Sequence, residues 1–303
     1  MAFITFVFIQ LAPGDPLAAY RQNPSIPREI IEYYEARFHL KDPVVVQFGY
    51  WLWNLAHGDL GESFERKAPV ARVIGERVWN TVLLSLSSLL FAWTVALPLG
   101  IYAAVHQYSW GDKIFSLLAF LGMSLPTFFT ALLLLYLVSL TGWLPTGGMV
   151  SANFEGLSSP AQVLDLAWHL VLPTVVIGSG AVAGLQRLTR GNMLEVLRQQ
   201  YITTARAKGL PEHRVIYRHA LRNAINPLIT IFGYQFSGLL SGAAITEMIV
   251  SWPGLGLLML EAVRAKDSYL VMGDLLVAGL LLLVGNLLAD ILLAVADPRI
   301  SVS

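Results

Sequence analysis

Residues 114–154 read IFSLLAFLGMSLPTFFTALLLLYLVSLTGWLPTGGMVSANF and contain no charged side chain. A helix needs about 20 apolar residues to cross the hydrocarbon core of a bilayer, at about 1.5 Å per residue. This stretch is therefore long enough for a membrane span. Three further stretches also lack Asp, Glu, Lys and Arg, namely residues 79–111, 166–186 and 223–246.

The composition of the whole chain points to the same class of protein. Of the 303 residues, 55% are hydrophobic and 13% are charged, whereas soluble domains carry about 25% charged residues. We therefore predict an all-α, polytopic membrane protein with six transmembrane helices. The formal net charge is zero, so no overall field favours nucleic acid as a partner. The absence of cysteine excludes disulfides, thiol catalysis and zinc–thiolate sites.

The first 77 residues differ in character from the rest of the chain. Residues 1–12 are apolar but too short to cross a bilayer, so we expect the outer half of a first span whose beginning is missing. A short interfacial anchor is the alternative. Residues 13–77 carry nine acids and eight bases and are interpreted as an external cap segment. Short amphipathic helices are expected at about 28–39 and 44–55, the second with Phe48, Trp51, Leu52 and Leu55 on one face.

Residues 78–303 are interpreted as the transmembrane core. Its spans are predicted at about 79–105, 114–140, 169–186, 227–250 and 269–295. Between the last two spans, residues 252–267 are too charged to cross fully, so this segment is expected to lie at the surface or to re-enter the membrane.

The orientation follows from the most basic short connection, residues 187–226. From Arg187 to Arg222 it carries eight Lys and Arg against two acids, and short basic loops face the cytoplasm. The turn at 106–113 and the C-terminal tail with Arg299 then also lie in the cytoplasm, and the cap lies outside. The basic residues of the cap do not contradict this, because segments beyond about 60 residues translocate largely regardless of charge.

This basic loop contains the stretch NMLEVLRQQYITTARAKGLPEHRVIYRHALRNAINP, residues 192–227. Asn192 with Glu195 three residues later has the capping-box pattern, which predicts a helix to about Lys208. Gly209 permits a sharp turn, and Pro211 suits the start of a second helix. On the second helix Arg214, Arg218 and Arg222 form one stripe, opposite an apolar side of Val215, Ile216, Ala220 and Leu221. Such a stripe could meet anionic lipid, whereas the helix–glycine–helix shape with small Ala205 and Ala207 suits insertion into a partner's groove.

No catalytic or metal site is predicted. The sequence contains no G-x-x-x-x-G-K-[ST], G-x-S-x-G or H-E-x-x-H pattern, and its six histidines are scattered. Asp274 and Asp290 lie 16 residues apart in the last span, about 24 Å of helical rise and about 160° of rotation. They therefore cannot share a proton as a catalytic dyad does.

Several polar residues of the spans are candidates for a transport role. Glu247 is interpreted either as a gate or substrate contact or, as we favour here, as an interfacial residue paired with Arg264 or Lys266. Small residues at Gly180 and Gly184 and at Gly238 and Gly242 predict close helix packing within the chain or, alternatively, a subunit face. The polar candidates for a translocation path are Ser124, Thr127, Gln235, Ser237 and Ser241.

Several short motifs resemble the permease subunits of binding-protein-dependent ABC importers, most closely the dipeptide/oligopeptide family. The basic loop resembles their "EAA" loop in TARAKG at 204–209 and RHALRNA at 218–224. The resemblance extends along the chain through LAPGDP at 11–16, GDLG at 58–61, RGNMLE at 190–195, WPGLG at 252–256 and DPRI at 297–300. The chain departs from the pattern at Thr203, where the generic motif has Glu.

The resemblance implies a transporter subunit of a bacterial or archaeal cytoplasmic membrane rather than an enzyme. Residues 203–209 would dock into a cleft of a cytoplasmic ATPase, and two such ATPase subunits would bind the ATP and Mg. A second, related permease would complete the membrane part, and an extracytoplasmic binding protein would deliver substrate. The docking residues implied are Thr203, Thr204, Ala205, Arg206, Ala207, Lys208 and Gly209.

The family transports dipeptides, oligopeptides, nickel chelates, glutathione or sugars, so the substrate stays open at this point. Two other classes of function are alternatives. An ion-coupled carrier would need paired ionisable groups at mid-membrane, and the predicted spans two to five show none well inside their apolar runs. A structural or assembly subunit is the remaining alternative.

Overall fold

The computed structural model describes residues 2–11, 17, 20–21 and 25–296, and omits the side chains of 2, 5, 9–11, 230, 233–234, 236–243, 289 and 292–296. Helices dominate, and the only described sheet has two short strands, so the predicted all-α class is confirmed. The motifs at 12–16 and 297–300 and the tail with Arg299 lie outside the described residues.

The elements follow one another in a simple order. Three helices come first: α1 (Ala2–Leu11), α2 (Arg28–Arg37) and α3 (Val44–Ala56). A hairpin of β1 (Glu62–Ser63) and β2 (Ala68–Pro69) leads to α4 (Val70–Val105), α5 (Trp110–Ser124) and α6 (Thr127–Thr141). A 3₁₀ turn at Phe154–Gly156 precedes α7 (Ser159–Leu197) and α8 (Gln200–Ala207). The last elements are α9 (residues 212–224), α10 (Asn226–Ile249), α11 (Leu255–Ala265) and α12 (Ser268–Ala296).

The chain divides into two compact units. One comprises Met1–Asn80 with Pro253–Leu280, and the other Thr81–Trp252 with Leu281–Ser303. The helices α4 and α12 each continue from one unit into the other. The predicted cap at 13–77 and core at 78–303 stay predictions, since these units describe compactness rather than the position of a membrane.

Long apolar helices form the membrane part. Within the described residues three helices are long and apolar enough to cross a bilayer, at Val70–Val105, Ser159–Leu197 and Ser268–Leu288. The pair α5 and α6 adds a fourth if it counts as one span. This number is compatible with the predicted six spans, which stay a prediction. The helix expected at 169–186 is longer than predicted, because Ser159 and Pro160 already start it before the apolar run.

The span predicted at 114–140 is not one straight helix. The axes of α5 and α6 differ by 109°. Leu125 takes extended backbone angles, φ −87° and ψ 128°, because the ring of Pro126 disfavours a helical residue before it. By contrast, Pro98 and Pro173 lie inside continuous helices. Membrane helices tolerate prolines where neighbouring groups bond the freed carbonyls.

The cap contains the two predicted helices, α2 and α3. The face predicted for α3 is partly wrong, because Leu52 is exposed while Trp51 is buried. The face that packs inward combines Gln47 and Trp51, which are four residues apart, and Gln47 Nε2 donates to the Asp42 carbonyl oxygen at 2.9 Å. Because Gln47 is polar, the pattern of apolar residues alone did not predict that this face of α3 is buried.

The hairpin is anchored to the start of α12 by hydrogen bonds and rings. The buried Asp267 carboxylate accepts from Ser63 Oγ at 2.5 Å and from the backbone N–H of Glu65 at 3.1 Å. Next to it Tyr269 packs against Phe38, with 5.1 Å between ring centroids. Gly61 lies under the Tyr269 ring, where a Cβ would approach Cδ1 to 2.3 Å. Contacts far apart in sequence therefore hold this unit together.

The second unit has its apolar core between α4, α6 and α7. Leu84, Val176 and Trp252 are fully buried there, with Ala131 and Val138 of α6. Nearer the end of α4, a Cβ at Gly100 would lie 2.6 Å from the Thr189 Cβ. Only glycine permits this approach, so the backbone of α4 at Gly100 packs directly against the Thr189 side chain of α7.

The contact under Tyr269 gives a testable prediction. Gly61 and Gly58 both have positive φ, +84° and +79°, so alanine at either position costs about 1–2 kcal/mol of backbone strain. A Cβ at Gly58 meets nothing within 4 Å, whereas the Cβ of Gly61→Ala collides with Tyr269. Overpacking adds about 1–3 kcal/mol, so Gly61→Ala should lower the unfolding midpoint in detergent clearly more than Gly58→Ala. Equal midpoints would show that the ring is free to move aside.

Candidate functional site

The basic loop begins later than its capping pattern predicts. Asn192 does not cap a helix, because α7 continues through it to Leu197. The break falls at Arg198 and Gln199, and α8 begins at Gln200. The side chain of Asn192 instead donates from Nδ2 to the Ala224 carbonyl oxygen at 3.3 Å. The capping-box prediction was therefore wrong, and Asn192 ties α7 to the end of α9.

The turn between the two loop helices agrees with the sequence. Gly209 has φ +75°, a left-handed conformation that suits glycine, and Pro211 directly precedes the helical residues from Glu212 onward. Across this turn Arg206 donates to both Glu212 oxygens, at 3.2 and 2.6 Å. The guanidinium group lowers the pKa of the Glu212 carboxyl from its ordinary value. The pair is exposed, so it shapes the turn and contributes only about 0–1 kcal/mol of stability.

The second loop helix, α9, has a wide turn in its middle. Residues Glu212–Arg214 are α-helical, Val215–Ala220 are π-helical and Leu221–Ala224 are α-helical again. The predicted apolar side is confirmed for Val215, Ile216 and Ala220, which are buried. The basic residues of the predicted stripe, Arg214, Arg218 and Arg222, are all exposed.

Both loop helices stand on one apolar cluster, which we call the loop-base cluster. It joins the end of α4, the end of α7, α8 and α9. Its buried members are Ile101, Ala104, Met193, Ile202, Ala205, Val215, Ile216, Ala220 and Ala224. Four of them, Met193, Ile202, Val215 and Ala220, have no exposed surface. The loop is therefore a packed part of the second unit, fixed against the ends of two long helices.

This packing separates the proposed docking residues into two groups. Ala205 is 7% exposed and belongs to the loop-base cluster, three residues after Ile202 on the inner face of α8. The other six are exposed, namely Thr203, Thr204, Arg206, Ala207, Lys208 and Gly209. Ala205 thus supports the surface from beneath. The docking role of all seven residues stays a prediction.

The structure does not gather the translocation-path candidates into one site. Ser124 and Thr127 are exposed on either side of the α5–α6 bend, and the Ser124 hydroxyl donates to the Phe120 carbonyl oxygen of its own helix. Gln235 accepts from the Trp93 indole N–H at 2.9 Å, which joins α10 to α4. The side chains of Ser237 and Ser241 and the second glycine pair, Gly238 and Gly242, lie outside the described residues. The role of these residues in transport stays a prediction.

Glu247 lies near the end of α10, and its interpretation as an interfacial residue paired with Arg264 or Lys266 stays a prediction. It is completely buried near the end of α10, and its Oε1 accepts from the Thr81 hydroxyl of α4 at 2.7 Å. Thr81 was not identified from the sequence, since 166 residues separate it from Glu247. An ionisable group buried among spans is costly unless it is bonded or functional. The gate interpretation of Glu247 stays a prediction.

Gly180 and Gly184 were expected to mark a close contact between helices of this chain. A Cβ at either position would meet nothing within 4 Å. Among the described residues, these glycines are therefore not needed for packing within the chain, in contrast to Gly100 and Gly178. Their alternative interpretation, a face for another subunit, stays a prediction.

In the described part of the chain no three side chains among His, Asp and Glu come together as a possible metal site. The features that the structure does bring together are a packed, basic loop and a set of long apolar helices. A polytopic membrane protein with a packed basic loop is the class that this fold and this site define.

Comparison with known proteins identifies the family within this class. Residues 96–302 match the family model described as binding-protein-dependent transport system inner membrane component. The oligopeptide transport system permease protein AppB of Bacillus subtilis (strain 168) is 40% identical over 302 residues, covering 99% of this chain and 94% of the relative. The dipeptide transport system permease protein DppB of Escherichia coli (strain K12) is 37% identical over 317 residues, covering 99% and 94%.

The chain belongs to the family of binding-protein-dependent transport system inner membrane components, as its motifs predicted. Its fold is also similar to that of the MetNI methionine ABC transporter in an inward-facing conformation, with a TM-score of 0.58. That match has 15% sequence identity and covers 74% of this chain and 96% of the other. The family model includes the whole basic loop, all of α7 and the end of α4 on which the loop stands.

The loop-base cluster yields a prediction about local stability. Ile202 is fully buried, and replacing a buried Ile by Ala typically costs about 2–5 kcal/mol. Ile202→Ala should therefore increase amide hydrogen exchange throughout residues 200–224 while the long helices keep their protection. Thr203→Ala, a truncation of the neighbouring exposed residue, is the matched control and should leave exchange unchanged. Equal exchange in both variants would mean that the cluster does not hold the loop.

Proposed function

We propose that this chain is a permease subunit of an ATP-driven importer for peptides or related small solutes. Family membership and the two relatives named for oligopeptide and dipeptide transport support the substrate class. The observation that carries the mechanism is the exposed face of α8, held on the fully buried residues Met193 and Ile202. A surface that must transmit force has to be rigid relative to the helices that it moves.

In this proposal α8 inserts into a cleft of a cytoplasmic ATPase. The face presented there is small and basic, with Ala207 and Lys208 at its end and Thr203 and Thr204 beside them. Small side chains allow close helix-in-groove contact. Two ATPase subunits bind ATP and Mg²⁺, and this chain contributes no nucleotide site. Closure of the ATPases displaces α8 and, through the loop-base cluster, the ends of α4 and α7.

The remaining partners follow from the same class of transporter. A second, related permease completes the path across the bilayer, and an extracytoplasmic binding protein delivers the solute to the side of the cap. The loop and the C-terminus face the cytoplasm, which agrees with the excess of Lys and Arg between Arg187 and Arg222. We include Glu247 in the path as a gate, because its buried carboxylate joins α10 to Thr81 of α4.

Reconstitution tests the function directly. The chain is assembled in nanodiscs with the second permease and the two ATPases, and ATP hydrolysis is measured with empty and with peptide-loaded binding protein. We expect peptide-loaded binding protein to raise the rate several-fold and uptake of labelled peptide to accompany it. An intact assembly whose hydrolysis ignores the loaded binding protein would contradict the proposal. Exchange of the peptide for a nickel chelate or a sugar identifies the substrate class.

A second experiment tests the docking surface alone. Ala207→Trp places a bulky ring on the exposed end of α8, and we expect ATPase capture by the detergent-solubilised permease to fall at least tenfold, about 1.4 kcal/mol or more. Asn223→Trp is the matched control, since Asn223 is exposed in the same loop but outside α8. Ala205 is unsuitable, because a larger residue there disrupts the loop-base cluster. Equal capture by both variants would show that α8 is not the docking helix.

A further inference from the structure

The segment RGNMLE, residues 190–195, contains three side chains that bind three different elements. Arg190 reaches α5, Asn192 bonds to the end of α9, and Met193 is fully buried against α8 in the loop-base cluster. Because these residues are almost consecutive, one turn of α7 joins the loop to α5. None of the functions proposed above accounts for the contact to α5.

That contact is a bidentate ion pair. Arg190 Nε donates to Asp112 Oδ1 at 2.6 Å, and Nη2 donates to Oδ2 at 2.8 Å. Asp112 is 3% exposed and also accepts from the Tyr108 N–H and the Ser116 hydroxyl, at 2.9 and 3.3 Å. Two parallel hydrogen bonds fix orientation as well as distance, which a single contact does not. The first turn of α5 is thereby held to α7 in one geometry.

Tight packing on both sides of the Asp112–Arg190 pair prevents the pair from moving independently of the loop. Thr189, next to Arg190, is fully buried against Gly100 of α4. On the other side, a Cβ at Gly111 would lie 2.5 Å from the Tyr102 ring, so the turn between α4 and α5 is tightly packed as well. If the loop moves α7 at Met193, it also moves Arg190, which lies one helical turn away. Arg190 then moves Asp112, to which it is bonded.

The helix α5 leads to the 109° bend and to α6. Elsewhere in the described part of the chain, α6 packs against α7 through apolar side chains such as Ala131 and Val138. The helix α5 contacts α7 through Arg187, whose guanidinium lies 5.9 Å from the centroid of the Phe120 ring. Among the described side chains, the Asp112–Arg190 pair is the polar connection between α5 and α7. It lies at the end of α5 nearest the loop.

We propose that Asp112 and Arg190 are a positioning pair that makes α5, and the bend after it, follow the docking loop during transport. Neither residue touches substrate or nucleotide. The pair makes α5 and α6 move together with α7. Movement of the loop therefore changes the path of the solute across the membrane. This proposal rests on the proposed function, since it assumes that α8 receives the movement from an ATPase.

Separate measurement of hydrolysis and uptake tests the pair. In the reconstituted assembly, Asp112→Asn and Arg190→Gln should leave ATPase binding and stimulated hydrolysis within about twofold of the unaltered chain, while peptide taken up per ATP falls at least tenfold. Arg190→Lys keeps the charge but loses the bidentate geometry, and should fall in between. Glu195→Gln, at an exposed position of the same helix, is the matched control and should keep the original ratio.

Two results would overturn the proposal. One is an unchanged ratio of uptake to hydrolysis in Asp112→Asn and Arg190→Gln. The other is a parallel loss of uptake and hydrolysis, which marks a merely structural role. If the unaltered assembly itself shows no response to loaded binding protein, the proposed function fails first, and the two failures are thus distinguishable.

A spectroscopic measurement covers the case in which the single variants assemble poorly. The chain contains no cysteine, so Lys113→Cys and Asn223→Cys place spin labels on exposed positions of α5 and α9 without background labelling. The distance between the labels should stay constant on ATP binding when the pair is intact. In Arg190→Lys the distance between the labels should shift or its distribution should broaden on ATP binding. A distance that stays constant in that variant too would show that the pair does not hold α5 to the loop.

Discussion

The burial of the loop-base cluster is the interaction on which the functional part of this molecule depends. A loop with eight basic residues between Arg187 and Arg222 has little tendency to fold alone, since like charges repel and its helices are short. Burial of Ile202, Val215 and Met193 against the ends of α4 and α7 supplies the stabilisation instead. Each fully buried aliphatic side chain of this size contributes about 1.5–3 kcal/mol. The basic residues are consequently displayed on a surface whose position the long helices determine.

The same arrangement explains why the polar contacts of this region are few and specific. Buried charges are costly unless paired with good geometry, and Asp112 has its two oxygens shared among Arg190, Tyr108 and Ser116. Exposed charges such as Arg206 and Glu212 add little stability but set the shape of the turn at Gly209. Apolar packing thus decides where the loop lies, and ion pairs decide its orientation.

The class of fold and the family were predictable, because long charge-free runs and short motifs are local properties of the sequence. The details that depend on distant neighbours were not. Pro98, Pro126 and Pro173 each lie inside a predicted span, yet among these three only Pro126 interrupts its helix, and no local sequence signal distinguishes it from the other two. The Asp112–Arg190 pair spans 78 residues and has no local pattern.

The continuation of α7 through Asn192 and the burial of Ala205 both have signals in the sequence. The capping pattern at Asn192 competed with an apolar position at Met193, whose burial carries α7 on to Leu197. Ile202 and Ala205 lie three residues apart, the spacing of one helix face. That spacing indicates that Ala205 faces the chain itself, together with Ile202.

The length of α7 has a mechanical consequence. Its 39 residues extend over about 58 Å at 1.5 Å per residue, whereas the hydrocarbon core is about 30 Å thick. Roughly half of the helix therefore lies outside the hydrocarbon core, and α8 follows directly at the end of this long arm. For an arm pivoting about its middle, a tilt of about 10° moves the tip by about 5 Å, which is close to one helical turn. A rotation of this small size is thus sufficient to displace the exposed face of α8 by a full turn of helix.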